Sequence, residues 1–236
     1  MKKLVVLTGS GISAESGLKT FRETGGLWEN YDVHEVASPE GWAKNRELVL
    51  QFYNERRAQL KDALPNAAHT GLKKLEEVFD VTIITQNVDN LHERAGSRNV
   101  LHLHGLLTRA RSTQFSNMVY DIGYGEIKLG DICEKGYQLR PDIVWFGEAV
   151  PAIEEAASLV ATADIFAVIG TSLVVYPAAG LLNYVPGSVP VFLIDPNEVT
   201  IPIYRPVRFI KEKAGKGVAL LEEILRKEYG EESLKI

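Results

Sequence analysis

Two hydrophobic periods alternate along this chain. Short apolar, often β-branched runs at residues 4–7, 81–85, 100–105, 142–148 (where the main domain resumes), 164–169, 189–194 and 207–210 are separated by stretches with helical spacing. The helical stretches are 39–60 (Trp42, Leu48, Val49, Phe52 and Leu60 among charges), 67–79 after the Pro65-Asn66 break, 151–162 and 217–229. The third opens with Pro151 and carries two glutamates in its first turns, as the helix dipole favours. Strands alternating with helices predict an α/β fold with a Rossmann-like, doubly wound parallel sheet. Residues 18–34 have no clean period and read as an ordered loop with aromatic anchors, and residues 106–140 alternate only weakly (Leu107, Arg109, Arg111) among scattered glycines. The expected layout is one domain. Its core comes from 1–34, 66–105 and 141–236, and a smaller subdomain is built from a helical insertion, 35–65, and an insertion of short strands and turns, 106–140. No internal repeat or low-complexity segment interrupts it.

Polar residues gather where the predicted strands end. The first strand runs into Thr8-Gly9-Ser10-Gly11-Ile12-Ser13-Ala14, a Gly-x-Gly-x-x-Ala turn opening a helix-like segment. Strand, glycines and helix in that order can cradle a pyrophosphate: glycine permits close backbone approach, and free amides at a helix start favour negative charge. The alternative is a tight turn that holds nothing. An ordinary dehydrogenase would have a second strand about 20 residues on, ending in an acid for the ribose, and here that interval is the aromatic loop. Gln86-Asn87-Val88-Asp89, Gly170-Thr171-Ser172 and Asp195-Pro196-Asn197 stand at three further strand ends. Any one could be turn chemistry; four along one sheet edge point to a ligand crevice.

Composition narrows the classes. The 236 residues are 45% hydrophobic, enough for one substantial core, and a net charge of −5 leaves no basic footprint for nucleic acid or a membrane surface. A single cysteine, Cys133, excludes an internal disulfide framework. No apolar run approaches a membrane span, and the first residues lack a signal-peptide layout. The expectation is a cytoplasmic monomer.

Two pairs carry candidate chemistry. His102 and His104, two apart on a strand, share a face. One suits proton abstraction near neutral pH, the other a structural hydrogen bond; a metal pair lacks nearby ligands to complete it. Tyr53 and Arg56, three apart on a helix, suit a carboxylate ligand, unless Arg56 merely pairs with Glu47 or Glu55 on the surface.

Jointly, Thr8-Gly9-Ser10-Gly11-Ile12-Ser13-Ala14-Glu15-Ser16-Gly17, Gln86-Asn87-Val88-Asp89, His102-Leu103-His104-Gly105, Val144-Trp145-Phe146-Gly147-Glu148 and Gly170-Thr171-Ser172 resemble the sirtuins, NAD-dependent protein-lysine deacylases, over nearly the whole chain. Tyr53-Asn54-Glu55-Arg56 further resembles the sirtuin class that removes succinyl and malonyl groups. The resemblance implies that an acylated-lysine protein or peptide lies beside NAD, that the amide oxygen attacks the nicotinamide ribose, and that NAD is consumed to give nicotinamide, O-acyl-ADP-ribose and free lysine. It makes His104 the general base, Asn87 the group that positions ribose or water, and Asp89 the partner of the nicotinamide amide. Gly9, Ser10, Gly11, Ile12, Ser13 and Ala14, with Phe21, Arg22 and Trp28 of the aromatic loop, would hold the pyrophosphate and nicotinamide side. Gln86 and Val88 would line the same cofactor site, and Gly170, Thr171, Ser172, Asp195, Asn197 and Ala214 its adenosine side. Val144, Trp145, Phe146, Gly147 and Glu148 would pair with the substrate backbone as an added strand.

Three departures stand out. Sirtuins usually carry four zinc-binding cysteines where residues 106–140 lie, and only Cys133 is present, with no histidine in the segment. A closed structural zinc site needs four ligands, so no zinc is expected, and Phe115, Val119, Tyr120, Tyr124 and Ile127 would hold the module by apolar contact. Ser10 stands where the family has alanine, and Asp195 where asparagine is common. The competing readings are an NAD- or ADP-ribose-binding module without deacylase chemistry, an ADP-ribosyl transferase, and a nicotinamide oxidoreductase.

Overall fold

A computed structural model describes residues 1–19, 31–199 and 206–230; the expectations on Phe21, Arg22 and Trp28 lie outside them. The first half of the chain gives β1 (Lys3–Thr8), a 3-10 turn at Ser10–Ser16, α1 (Val33–Val36), α2 (Pro39–Lys44), α3 (Arg46–Asp62), α4 (Ala67–Leu75), β2 (Asp80–Thr85), α5 (Leu91–Arg94) and β3 (Val100–His102). There follow β4 (Gly105–Ser112), β5 (Val119–Asp121), β6 (Leu139–Ile143), α6 (Ile153–Ala161), β7 (Ile165–Ile169), a 3-10 helix at Ala178–Tyr184, β8 (Val191–Ile194), β9 (Val207–Ile210) and α7 (Ala214–Tyr229).

The expected parallel sheet is present, with strand order β3-β2-β1-β7-β8-β9. Its strands are apolar on both faces because both are covered. Leu4 and Val6 of β1 face α4 and α7, where Leu72, Leu75, Val218, Leu221 and Leu225 pack. Val5 and Leu7 face the opposite layer, with Ala156 and Val160 of α6 and Leu181 and Leu182 beyond. Each such aliphatic side chain contributes on the order of 1.5–3 kcal/mol by burial. The chain moves outward one way from β1 through β2 and β3, then returns to β1's other side with β7, β8 and β9. The crevice between the carboxyl ends of β1 and β7 is therefore a topological switch point, where open α/β sheets bind ligands.

Two expectations about elements change. The helix over 39–60 is broken at Asn45, whose side chain accepts from the Leu48 amide and caps α3 afresh. The apolar run at 142–146 does not resume the main sheet. Residues 139–143 form β6, which pairs antiparallel with β4 in a three-stranded sheet, β5-β4-β6. That sheet packs with α1 to α3 around a third core of Trp42, Val49, Phe52, Leu60, Leu107, Ile127, Ile143 and Trp145. Of the groups expected to hold the 106–140 module, Ile127 is buried and Tyr124 packs against this core. Phe115 meets the edge of Tyr137 instead. Val119 is exposed, because its short edge strand turns that residue outward.

Candidate active site

The glycine turn lies at the switch point. The Gly9 amide donates to Ile169 O (3.0 Å) and the Gly11 amide to Gly170 O (2.9 Å), which ties the ends of β1 and β7 together. There is no room for side chains at this junction. A Cβ on Gly9 would stand 2.6 Å from Thr171 Cβ, one on Gly11 would stand 2.7 Å from Gly170 Cα, and Gly170 itself has φ +61°. Asn66, reaching across from the start of α4, braces the turn by donating to Ile12 O (2.8 Å) and Ser16 Oγ (3.0 Å). Glu15 accepts from the Gly215 amide (2.8 Å), capping α7 with a carboxylate 200 positions away in sequence.

Two cavities meet above the sheet edge. The first is lined by Ser13, Tyr53, Arg56, Asn87, Val88 and Asp89 among others, and runs under Trp145, Phe146 and Tyr176. The second is lined by Gly9, Gly11, Ala14, Gly170, Thr171, Ser172, Asp195, Asn197 and Ala214. His104, Asn87, Gln86, Ser10 and Phe146 line both. Of the residues expected around a dinucleotide, Gly9, Gly11, Ala14, Gly170 to Ser172, Asp195, Asn197 and Ala214 thus line the second cavity alone, whereas Ser13, Val88 and Asp89 line the first, together with Tyr53 and Arg56.

His104 and His102, equivalent in the sequence, are separated here. His104 lies just past β3. Its Nδ1 faces the Gln86 carbonyl at 3.0 Å, an acceptor, so this nitrogen carries the proton and Nε2 is left with its lone pair. Burial lowers the His104 pKa below the usual imidazole value, partly offset by the bond to Gln86. The ring is held as a neutral base. His102 Nδ1 faces the Asn87 carbonyl at 3.0 Å, and its Nε2 lies 2.6 Å from Glu93 Oε1. Both of its nitrogens are engaged, which makes it the structural member of the pair.

The Gln86–Asp89 cluster is a connected chain. Asn87 Nδ2 donates to Ser13 Oγ (3.1 Å), and Ser13 Oγ donates to Asp89 Oδ2 (2.9 Å). Asp89 Oδ1 accepts from the Leu91 amide (3.1 Å). Burial raises the Asp89 pKa, against the lowering effect of these two bonds. Gln86 Nε2 donates to Thr171 Oγ1 (3.1 Å), and Asp195 Oδ1 accepts from the Asn197 amide (2.9 Å).

Tyr53 and Arg56 both line the first cavity and not the second, and Tyr53 is buried. Arg56 stands over the Phe52 ring, 5.1 Å from its centroid. The residues from Val144 to Glu148 form a turn, not a strand. The Trp145 amide donates to Glu148 Oε2 (2.8 Å) and the Phe146 amide to Ala37 O (3.0 Å). Glu148 is bound by Arg140 (2.7 and 3.1 Å) and Arg111 (3.2 Å).

Sequence reasoning missed Asn54 and Arg57. Arg57 is fully buried and donates to Gly125 O (2.8 Å), Leu107 O (3.4 Å) and Asn54 Oδ1. Asn54 exchanges two 3.0 Å bonds with the Ile127 backbone. A signal was available. Arg57 is four residues after Tyr53 and three before Leu60, on the apolar stripe of its helix.

Among the described residues, no helix is long and apolar enough to cross a membrane. A model of the Sir2 family matches residues 9–177. An NAD-dependent protein deacylase of Bacteroides thetaiotaomicron is 53% identical over 233 residues, covering 95% of this chain and 98% of its own. One of Helicobacter pylori is 53% identical over 214 residues, covering 91% and 93%. Among solved structures, a mutant Sir2 homologue in complex with ADP-ribose superposes with a TM-score of 0.89 at 41% identity, covering 100% of this chain and 95% of that one. A Sir2 homologue–NAD complex gives 0.86 at 41% identity, covering 96% and 90%.

Proposed function

The chain belongs to the Sir2 family, and on that premise we propose that it is an NAD-dependent protein-lysine deacylase that removes succinyl and malonyl groups as well as acetyl. The observation that carries this reading is the wall formed by His104 and Asn87 between the glycine-lined cavity and the one that holds Tyr53 and Arg56. The cradle fits a pyrophosphate, since Gly9, Gly11 and Gly170 leave backbone where any Cβ would collide. Gly9 to Ala14 would hold the phosphates, and Gly170 to Ser172, Asp195, Asn197 and Ala214 the adenosine side. NAD supplies an electrophilic ribose carbon, with nicotinamide as leaving group.

His104 accepts a proton at Nε2 from a hydroxyl presented across the wall, its Nδ1–H anchored on Gln86 O. Asn87, held by Ser13, orients a ribose hydroxyl or water. Asp89 is held in turn by Ser13 and the Leu91 amide and would meet the nicotinamide amide. Arg56 supplies a cation and Tyr53 a phenol to an acidic acyl chain, a pairing that an acetyl group cannot use. The turn at Val144–Glu148 would receive the peptide backbone, and nicotinamide, O-acyl-ADP-ribose and free lysine would leave.

Incubation of acetyl- and succinyl-lysine peptides with NAD tests this. Both should release nicotinamide and free lysine. Arg56→Met should lower succinyl kcat/KM by about 100-fold and acetyl kcat/KM only a few-fold, because a buried carboxylate loses its charged partner. Equal losses would remove the acidic-acyl preference. NAD binding without nicotinamide release on any peptide would leave a binding module instead of an enzyme.

A further inference from the structure

We infer that Trp145 is a positioning residue for acyl selection: its indole N–H fixes the Tyr53 hydroxyl so that the phenolic proton points at the carboxylate of an acidic acyl chain. The inference rests on the acidic-acyl reading above. It assigns a role to the Trp145 side chain, apart from any backbone pairing at that turn.

The argument is one of donors and acceptors. Trp145 Nε1 lies 3.1 Å from the Tyr53 hydroxyl oxygen, and an indole nitrogen can only donate. The phenolic oxygen is therefore the acceptor, and its single proton is turned away from the indole. Arg56, the cation beside it on α3, has no acceptor to offer that proton. Among the described residues, the Tyr53 hydroxyl has this one hydrogen bond. Burial pushes the Tyr53 pKa up to about 12, with Arg56 and Trp145 pulling it back only in part, so the proton is present at neutral pH. The first cavity is thus lined by an O–H and a guanidinium from one helix, and a carboxylate, which only accepts, matches both.

The indole can fix a direction because it is itself immobilised. Trp145 is 2% exposed. The Arg140 guanidinium lies 3.2 Å above its ring centroid, and the Trp42 ring packs 5.7 Å away. Its amide is held by Glu148, which Arg140 and Arg111 grip. The ionic cluster under the 144–148 turn thus sets the torsion of a hydroxyl on α3, 92 residues away in sequence.

The test removes the N–H and leaves the shape. Trp145→Phe and a chain with benzothienylalanine at 145, whose sulfur replaces the indole nitrogen, are assayed on paired succinyl and acetyl peptides. The ratio of succinyl to acetyl kcat/KM should fall about tenfold, chiefly through a higher succinyl KM, since one charge-assisted hydrogen bond is misdirected. In a Tyr53→Phe background the same change should leave the ratio where Tyr53→Phe alone puts it. The benzothienyl chain supplies this result even if Trp145→Phe does not fold. An unaltered ratio, or an equal fall in the Tyr53→Phe background, overturns the inference. A wild-type enzyme that does not process the succinyl peptide removes the acidic-acyl reading and this inference with it. A wild type that does, with an unaltered ratio in the variants, removes this inference alone.

Discussion

At the scale of single residues the proposed reaction turns on which nitrogen of His104 holds the proton. The Gln86 carbonyl takes Nδ1–H, and burial keeps the ring neutral by lowering its pKa. A base whose pKa is depressed remains competent as pH falls through the ordinary histidine range. The acidic limb of kcat/KM should therefore turn down below about 6.5, the unperturbed imidazole value. A pH profile measured with saturating NAD checks this, and a limb above that value would mean that His104 is charged in the resting enzyme. Spacing alone named the pair without choosing within it, and only the family resemblance singled out His104. Both histidines share one strand face by their spacing, and what separates them is Glu93, brought to His102 Nε2 by the fold of α5. The same limit hid the contact between Trp145 and Tyr53: motifs identify residues along one segment, and this hydrogen bond joins two.

At the scale of elements, α3 does two jobs with adjacent residues. Tyr53 and Arg56 face the cavity, while Asn54 and Arg57 fasten the backbone at Gly125 and Ile127 to the helix. Burial lowers the Arg57 pKa to about 10, which leaves it charged at neutral pH, with its donors aimed at carbonyls instead of water. Arg57→Met would keep the aliphatic stem and orphan those carbonyls. Urea denaturation should show a loss of about 2–4 kcal/mol, the cost of leaving buried acceptors unsatisfied. A change within about 0.5 kcal/mol, as for an ordinary surface arginine, would mean that the staple is not what joins the module to α3. Reading charge as exposure concealed this residue, although its place on the apolar stripe gave it away. Asn45 was concealed differently: its capping of α3 depends on one side-chain rotamer, which hydrophobic period does not register.

At the scale of the whole molecule, the parallel sheet and its polar carboxyl edge were legible because buried strands and glycine turns leave local signatures. Membership in a sheet was not. The apolar residues Ile143 to Phe146 look like the start of a core strand, and only the pairing of β6 with β4 assigns this stretch to the second sheet. That sheet bears on the metal question. Its core is continuous with the lining of the first cavity, since Trp145, Tyr53 and Ile127 belong to one apolar cluster, and the Asn54–Arg57 staple ties the backbone at Gly125 and Ile127 to α3. A structural zinc site requires four ligands. The chain has one cysteine, Cys133, and its five histidines stand at 34, 69, 92, 102 and 104, outside the module. Cys133 is buried against Ser112 Oγ at 3.5 Å. These ligands do not make up a closed four-ligand zinc site, and the polar staple and shared core join the module's strands to α3. Purified protein should therefore carry far less than stoichiometric zinc by elemental analysis. Prolonged treatment with a strong chelator should leave both the thermal midpoint and the deacylation rate unchanged, whereas Arg57→Met lowers the midpoint. A chelator-sensitive midpoint restored by added zinc would show that a metal, not the staple, holds the module.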